Sequence, residues 1–215
     1  MLFRSRQQTN YPWEGHVELS IDLEKPAAFI LYLRRPDWSG QRQGNIYRTL
    51  IDADTSVTLL LNGTPVTYSR ENGYLKVQRK WKKGDRLSYD FSLLPRLVKA
   101  NPGIKQDEGR LAIQRGPLVY CVEGADNGNK AWNVLLPEQT NFESGFADIL
   151  DEQVVTLSAR LPVVKVEENG TGVNTQLQTV TAIPYYTWAN RGKNEMQVWL
   201  PTRITDIKIN YSPNP

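Results

Sequence analysis

Cys121 is the only cysteine and His16 the only histidine among 215 residues. The side chains that most often serve as nucleophile, general base or zinc ligand are therefore nearly absent. One cysteine makes neither an intrachain disulfide nor a cysteine-rich zinc cluster. Cys121 sits in the apolar run Pro117-Leu118-Val119-Tyr120-Cys121-Val122, where a thiol is expected to be buried and inert, because reactive cysteines need an electropositive, accessible setting. His16 opens an alternating run and is expected to face solvent or pack as an ordinary polar residue. Carboxylate pairs are the other route to chemistry, since a glycosidase sets an acid and a base or nucleophile across the scissile bond. Asp107-Glu108, Asp151-Glu152 and Glu167-Glu168 are adjacent pairs, but neighbours on a strand point to opposite faces. All three lie beside turns and read as solvated loop charge; Asp107 and Glu108 would be the only candidates if the chain were a complete enzyme.

Two further patterns have residue types suited to binding. The run Arg79-Lys80-Trp81-Lys82-Lys83 has the basic-plus-aromatic look of a nucleic-acid patch, but its place before Gly84-Asp85 favours a charged hairpin tip. Gly124, Gly128 and Gly170-Thr171-Gly172 lack the spacing and the following helix of a phosphate loop. Among aromatics, Tyr11-Pro12-Trp13, Trp38, Tyr185-Tyr186 and Trp188 fall near turns or strand ends. Rings so placed can stack on the C–H faces of sugars, and equally can close a sandwich core or sit in an interface. Trp38, Tyr185, Tyr186 and Trp188 are thus the candidates for carbohydrate contact; no residue is a candidate for catalysis or metal binding.

The elements that must carry these residues read as strands. Hydrophobic residues make up 40% of the chain and charged residues 23%, ordinary values for a folded chain and against wholesale disorder. No apolar run approaches the roughly 20 residues of a membrane span, and residues 1–6 hold no signal-peptide core. Residues 16–23 alternate polar and apolar; 28–33 are apolar; 57–61 lead into Asn62-Gly63, the strongest short hairpin signal; 74–79 and 86–91 follow after Asn72-Gly73 and Lys83-Gly84-Asp85. A second series covers 110–115, 117–122, 132–136, 154–157, 163–166, 179–183 and 196–200, with Ile207-Lys208-Ile209 as a last edge strand and 141–152 as the one plausible helix. Strands at such spacing predict an all-β fold of two consecutive antiparallel β-sandwich domains with little helix. The boundary is set at 1–98 and 99–215, beside the turn-rich Ala100-Asn101-Pro102-Gly103. The charge balance also changes there: residues 1–100 hold 16 basic and 10 acidic groups, residues 101–215 hold 10 and 13. No basic stripe suited to nucleic acid is present.

In order along the chain stand Gln8-Thr9-Asn10-Tyr11-Pro12-Trp13-Glu14-Gly15, Leu33-Arg34-Arg35-Pro36-Asp37-Trp38, Leu61-Asn62-Gly63, Gly73-Tyr74-Leu75 and Arg79-Lys80-Trp81-Lys82-Lys83-Gly84-Asp85. Then come Pro95-Arg96-Leu97-Val98-Lys99-Ala100-Asn101-Pro102, Gln114-Arg115-Gly116-Pro117-Leu118-Val119-Tyr120-Cys121 and Ile183-Pro184-Tyr185-Tyr186-Thr187-Trp188-Ala189-Asn190-Arg191-Gly192, with 196–201 after them. This string resembles the C-terminal portion of glycoside hydrolase family 127, the β-L-arabinofuranosidase-like proteins. Arg35 departs from it, standing where a small aliphatic residue is usual. The resemblance implies an N-terminal (α/α)6 barrel followed by two β-sandwiches, with a zinc-held cysteine nucleophile and glutamates in the barrel. Cys121 matches the tyrosine-cysteine strand of the second sandwich and not the zinc motif. The implied role is non-catalytic support of that barrel, with no cofactor in this chain and zinc in the catalytic domain. Expected partners are the barrel of the same polypeptide, a second copy in a homodimer, or a glycan, with neither nucleic acid nor membrane. Localisation would follow from any signal peptide upstream.

Overall fold

In the computed structural model the described residues are 3–36, 38, 46–50, 57–167 and 172–207. Among them the alternating runs become seventeen strands, and the only helical pieces are three-residue 3-10 turns. In chain order the strands are β1 (Phe3–Thr9), β2 (His16–Leu23), β3 (Ala27–Arg34), β4 (Tyr47–Thr49), β5 (Thr58–Leu61), β6 (Thr64–Pro65), β7 (Ser69–Glu71), β8 (Tyr74–Trp81) and β9 (Arg86–Asp90). They continue as β10 (Pro95–Ala100), β11 (Arg110–Arg115), β12 (Leu118–Glu123), β13 (Glu143–Ile149), β14 (Glu152–Val166), β15 (Val173–Pro184), β16 (Met196–Gln197) and β17 (Leu200–Pro201). The chain divides into one unit from residues 1–42 and 52–94 and another from 43–51 and 95–215. The units therefore part at Leu94/Pro95 rather than at residue 98. The second also takes a piece from the first half of the sequence, because β4 pairs with β10 (Val98 opposite Thr49) and so belongs to its sheet.

In the first unit a five-stranded sheet, β1-β2-β9-β5-β6, and a three-stranded sheet, β3-β8-β7, contribute side chains to one core. Alternation does the sorting: Val17, Leu19, Ile21 and Leu23 of β2 are buried, while His16 and Asp22 on the opposite face are exposed. Leu75, Val77 and Trp81 enter the same core from β8. Both Asn-Gly pairs form tight hairpin turns with left-handed backbone at each residue (φ +50 and +81 in each), the geometry that suits the strand twist. Trp81 is fully buried, and its indole N–H donates to the Phe29 carbonyl at 3.1 Å. The basic run is thus a strand end closed by the 82–85 turn, its aromatic turned into the core. Asp85 locks that turn: it accepts from the Lys82 amide (2.9 Å) and from Asn62 Nδ2 (3.0 Å). Burial raises its pKa, but these donors outweigh it and hold the carboxyl below its ordinary range.

In the second unit the strands form one branched sheet, β13-β14-β15-β12-β11-β10-β4, with β16 beside β12 and β17 beside β11. Its core draws on Ile113, Tyr120, Val122, Leu157, Leu161, Val180 and Leu200. Tyr120 donates its buried hydroxyl to the Val155 carbonyl at 3.0 Å. Two expectations fail here. Residues 141–152 hold no helix: β13 pairs along β14 from Glu143–Ser158 to Ile149–Glu152, and Leu150-Asp151 turn between them with φ +57 and +60. Pairing overrides a helical preference that Asn141 and Gly145 already weaken. Residues 132–136 make only an isolated bridge, Val134 to Val163. Their amides serve two neighbours instead: Leu135 donates to the Pro162 carbonyl (2.9 Å) and Leu136 to that of Pro201 (2.8 Å). Of the expected last strand, Ile207 follows a 3-10 turn and is not in a strand, and residues 208 and 209 lie outside the described residues.

The end of β12 carries a buried ion pair. The Glu123 carboxylate is fully buried, pairs with Arg191, and also accepts from the Ala189 amide (3.0 Å) and Asn194 Nδ2 (3.2 Å). The Arg191 guanidinium grips Asp126 with two bonds of 2.7 and 2.6 Å. Burial pushes the Glu123 pKa up, but Arg191 and the amide donors prevail and hold it below its ordinary value.

Two stability measurements follow. Trp81→Ala leaves a large cavity and should cost about 3–5 kcal/mol in urea unfolding. Glu123→Gln removes one partner of the buried pair and should cost about 3 kcal/mol at neutral pH. Because the folded pKa of Glu123 is lowered, its contribution is complete above the ordinary value of 4.5 and is lost as pH falls through the lower folded value. The unfolding midpoints of wild type and Glu123→Gln should therefore converge in acid.

Candidate functional site

The residue types with catalytic potential are dispersed and engaged. Cys121 lies buried in β12 opposite Ile183. Burial first, then the charges of Glu123 and Asp126, push its thiol up to about 12, with Arg191 acting the other way. At neutral pH it is a protonated, inaccessible thiol and no nucleophile. His16 pairs through Nδ1 with Asp90 Oδ1 at 2.8 Å on an exposed strand face. Asp107 closes a 3-10 turn; burial raises its pKa, partly offset by Arg110. Its neighbour Glu108 is exposed and 3.7 Å from Lys105. Asp151 sits in the β13–β14 turn and Glu152 begins β14, while the Glu167 amide donates to the Gly172 carbonyl and Glu168 lies outside the described residues. Among the described residues no three His, Cys, Asp or Glu side chains are grouped to hold a metal ion, and no helix is long and apolar enough to cross a membrane.

The aromatic candidates divide. Trp38 packs inward: its indole N–H donates to the Tyr11 hydroxyl (3.1 Å), its ring lies 5.7 Å from Phe91, and it backs the first core. Tyr185, Tyr186 and Trp188 stand exposed on the 3-10 turn that ends β15. Tyr185 and Trp188 stack at 6.1 Å with planes 16° apart. The turn is held from below, because buried Thr187 donates its hydroxyl to the Pro184 carbonyl (2.7 Å) and the next amide but one, Ala189, reaches Glu123.

A groove of about 600 Å³ lies elsewhere in the second unit, lined among others by Trp132, Asn133, Glu195, Gln197, Val164 and Arg110. Trp132 is 61% exposed, yet its position is fixed: its indole N–H donates to the Met196 carbonyl (3.2 Å) and its amide to Glu195 Oε2 (3.1 Å). Glu195 Oε2 also accepts from the Ala131 amide (2.8 Å), and Lys130 is 3.3 Å from Oε1. Burial raises the Glu195 pKa, but these donors outweigh it and leave the carboxyl lowered. Sequence reading missed Trp132 because the apolar run it opens looks like a strand. Its partners are more than sixty positions away, beyond any local signal.

Comparison with known proteins assigns the two halves. Residues 3–93 match the family model described as the β-L-arabinofuranosidase GH127 middle domain, and residues 95–201 match that of the glycoside hydrolase family 127 C-terminal domain. A non-reducing end β-L-arabinofuranosidase of Bifidobacterium longum subsp. longum is 30% identical over 207 residues, which are 90% of this chain but 29% of that protein. A solved GH127 β-arabinofuranosidase superposes over 95% of this chain and 32% of its own, with TM-score 0.88 and 33% identity. A GH127 β-L-arabinofuranosidase from Geobacillus stearothermophilus T6 does so over 93% and 30%, with TM-score 0.79 and 33% identity. The chain thus spans about 29% of the length of the curated relative it matches. With both halves matched in order, the chain belongs to glycoside hydrolase family 127, of which it carries the middle and C-terminal β-domains.

Proposed function

We propose that this chain is the non-catalytic β-domain region of a family 127 glycoside hydrolase that acts on β-L-arabinofuranosides or related sugars. Its role is to support the (α/α)6 catalytic barrel of the same polypeptide. The observation that carries the reading is the state of Cys121: the one cysteine is buried in a core strand, with its thiol raised to about 12. The zinc that the family resemblance assigns to the catalytic domain does not fit the residues here. One cysteine and one histidine are too few for a thiolate-rich site, and neither is grouped with other ligands among the described residues. The buried carboxylates Asp85 and Glu123 are committed to structural partners.

A second reading, carbohydrate contact through Tyr185, Tyr186 and Trp188, is favoured by the exposure of these rings on a turn anchored beneath. Trp38 supports it less, since its ring packs inward.

Incubation of the chain with an aryl β-L-arabinofuranoside should give no turnover above background, with Cys121→Ser indistinguishable from wild type. Turnover abolished by Cys121→Ser would overturn the assignment.

A further inference from the structure

Four Asn-Gly pairs stand in the sequence, at 62–63, 72–73, 127–128 and 169–170, and the first three lie within the described residues. Asn-Gly is the dipeptide most open to spontaneous deamidation, because glycine has no side chain to shield its amide nitrogen from the preceding Asn side chain. The fold treats the three pairs differently. At Asn62 both ends of the side-chain amide are held: Nδ2 donates to Asp85 Oδ1 (3.0 Å) and Oδ1 accepts from the Arg86 amide (2.9 Å). Asn127 is held at three points. Its Nδ2 donates to the carbonyls of Glu123 (2.8 Å) and Thr181 (2.9 Å), and its Oδ1 accepts from the Thr181 amide (2.9 Å). Asn72 is exposed, and its side chain has no hydrogen-bond partner among the described residues. The pairs at 62 and 72 make a controlled comparison. Both turn a hairpin with φ +50 at Asn and +81 at Gly, and both glycines face open space, with nothing within 4 Å of where a Cβ would stand. The backbone cost of bringing the glycine nitrogen to the Asn side chain is therefore shared, and only the clamp differs.

We propose that Asn72 is a site of spontaneous deamidation, and that the clamps on Asn62 and Asn127 protect those two residues from the same reaction. The Gly73 amide nitrogen attacks Asn72 Cγ. The N–Cγ bond forms, the Cγ–Nδ2 bond breaks, and the displaced nitrogen leaves as ammonia with the proton of the Gly73 amide. Water then opens the cyclic imide. Addition at Cγ gives an aspartate; addition at the main-chain carbonyl carbon gives an isoaspartate, with the chain running through Cγ. Each side-chain hydrogen bond that must break first slows the attack about fivefold, given the net worth of such a bond. Either product sets a new carboxylate next to Glu71, which pairs with Lys76 at 2.8 Å. The isoaspartate also adds one carbon to the turn that joins β7 to β8, where Glu71 pairs with Tyr74 and the Gly73 carbonyl accepts from the Arg35 amide (2.9 Å). The site belongs to the first unit and is independent of any sugar contact or catalytic barrel.

The test is incubation of the full chain in mildly alkaline buffer made with heavy-oxygen water, with and without concentrated urea, followed by tryptic peptide mapping. The three asparagines fall in separate tryptic peptides, and heavy oxygen marks conversion that took place during the incubation. In the folded protein Asn72 should convert at least about tenfold faster than Asn62 and Asn127, each of which has two or more hydrogen bonds to break. In urea, where the clamps are gone, the three rates should converge. Asp85→Ala, which removes the acceptor of Asn62 Nδ2, should raise the Asn62 rate about fivefold and leave that of Asn72 unchanged. If that variant fails to fold, the wild-type comparison decides alone. Asn72 converting no faster than Asn62 in the folded protein, or the same ratio persisting in urea, would overturn the proposal. An unchanged Asn62 rate in folded Asp85→Ala would overturn it too.

Discussion

A buried carboxylate is expensive unless its lone pairs are filled, and Glu123 is where this protein meets that cost. It stands at the end of a core strand, fully out of water, and takes donors from Arg191, the Ala189 amide and Asn194. All three belong to one segment that has no long strand to hold it. The tie fixes that segment on both sides of the ion pair. On the N-terminal side it sets the turn bearing Tyr185, Tyr186 and Trp188. On the C-terminal side Met196 pairs with Glu123 in the β12–β16 ladder, Gly124 donates to the Glu195 carbonyl (2.8 Å), and the Glu195 side chain then caps the amides of Ala131 and Trp132. Both aromatic surfaces of the second unit thus depend on one charge pair.

This use of acids bears on function. In a hydrolase the carboxylates that matter face an open cleft with their pKa values set apart. Here the buried carboxylates Asp85 and Glu123 are both held ionised by local donors, and each closes a connection: a hairpin turn in the first unit, a long loop in the second. The thiol is treated the opposite way, buried among apolar neighbours so that it stays protonated. Reactive groups spent on cohesion agree with the supporting role proposed for this chain, which spans about 29% of the curated relative it matches.

Much of the fold was legible because it is local. Period-two alternation located β2 and β8, and the Asn-Gly pairs located two hairpins, since only a left-handed turn suits both the residues and the strand twist. The errors came where partners are remote. Residues 141–152 look weakly helical alone, yet β14 offers an edge with which they pair completely. Residues 43–51 precede the apparent boundary but add a strand to the later sheet through β10. Of the candidate aromatics, the place of Tyr185, Tyr186 and Trp188 near a strand end could be read, but not whether those rings face solvent or core. The inward packing of Trp38 could not, because it depends on Tyr11 and Phe91. Nor could Glu123–Arg191, a pair 68 residues apart on a chain with many acids and bases.

That single tie can be examined amide by amide. Hydrogen exchange, expressed as protection relative to the unstructured chain, should be high at neutral pH for the amides of Gly124, Ala131, Trp132 and Ala189. It should fall selectively in acid, once Glu123 and Glu195 are protonated, while the β14–β15 amides between residues 157 and 164 keep theirs. Equal protection of the four amides at both pH values, or their loss only together with the β14–β15 amides, would contradict the claim that a buried carboxylate organises this half of the protein.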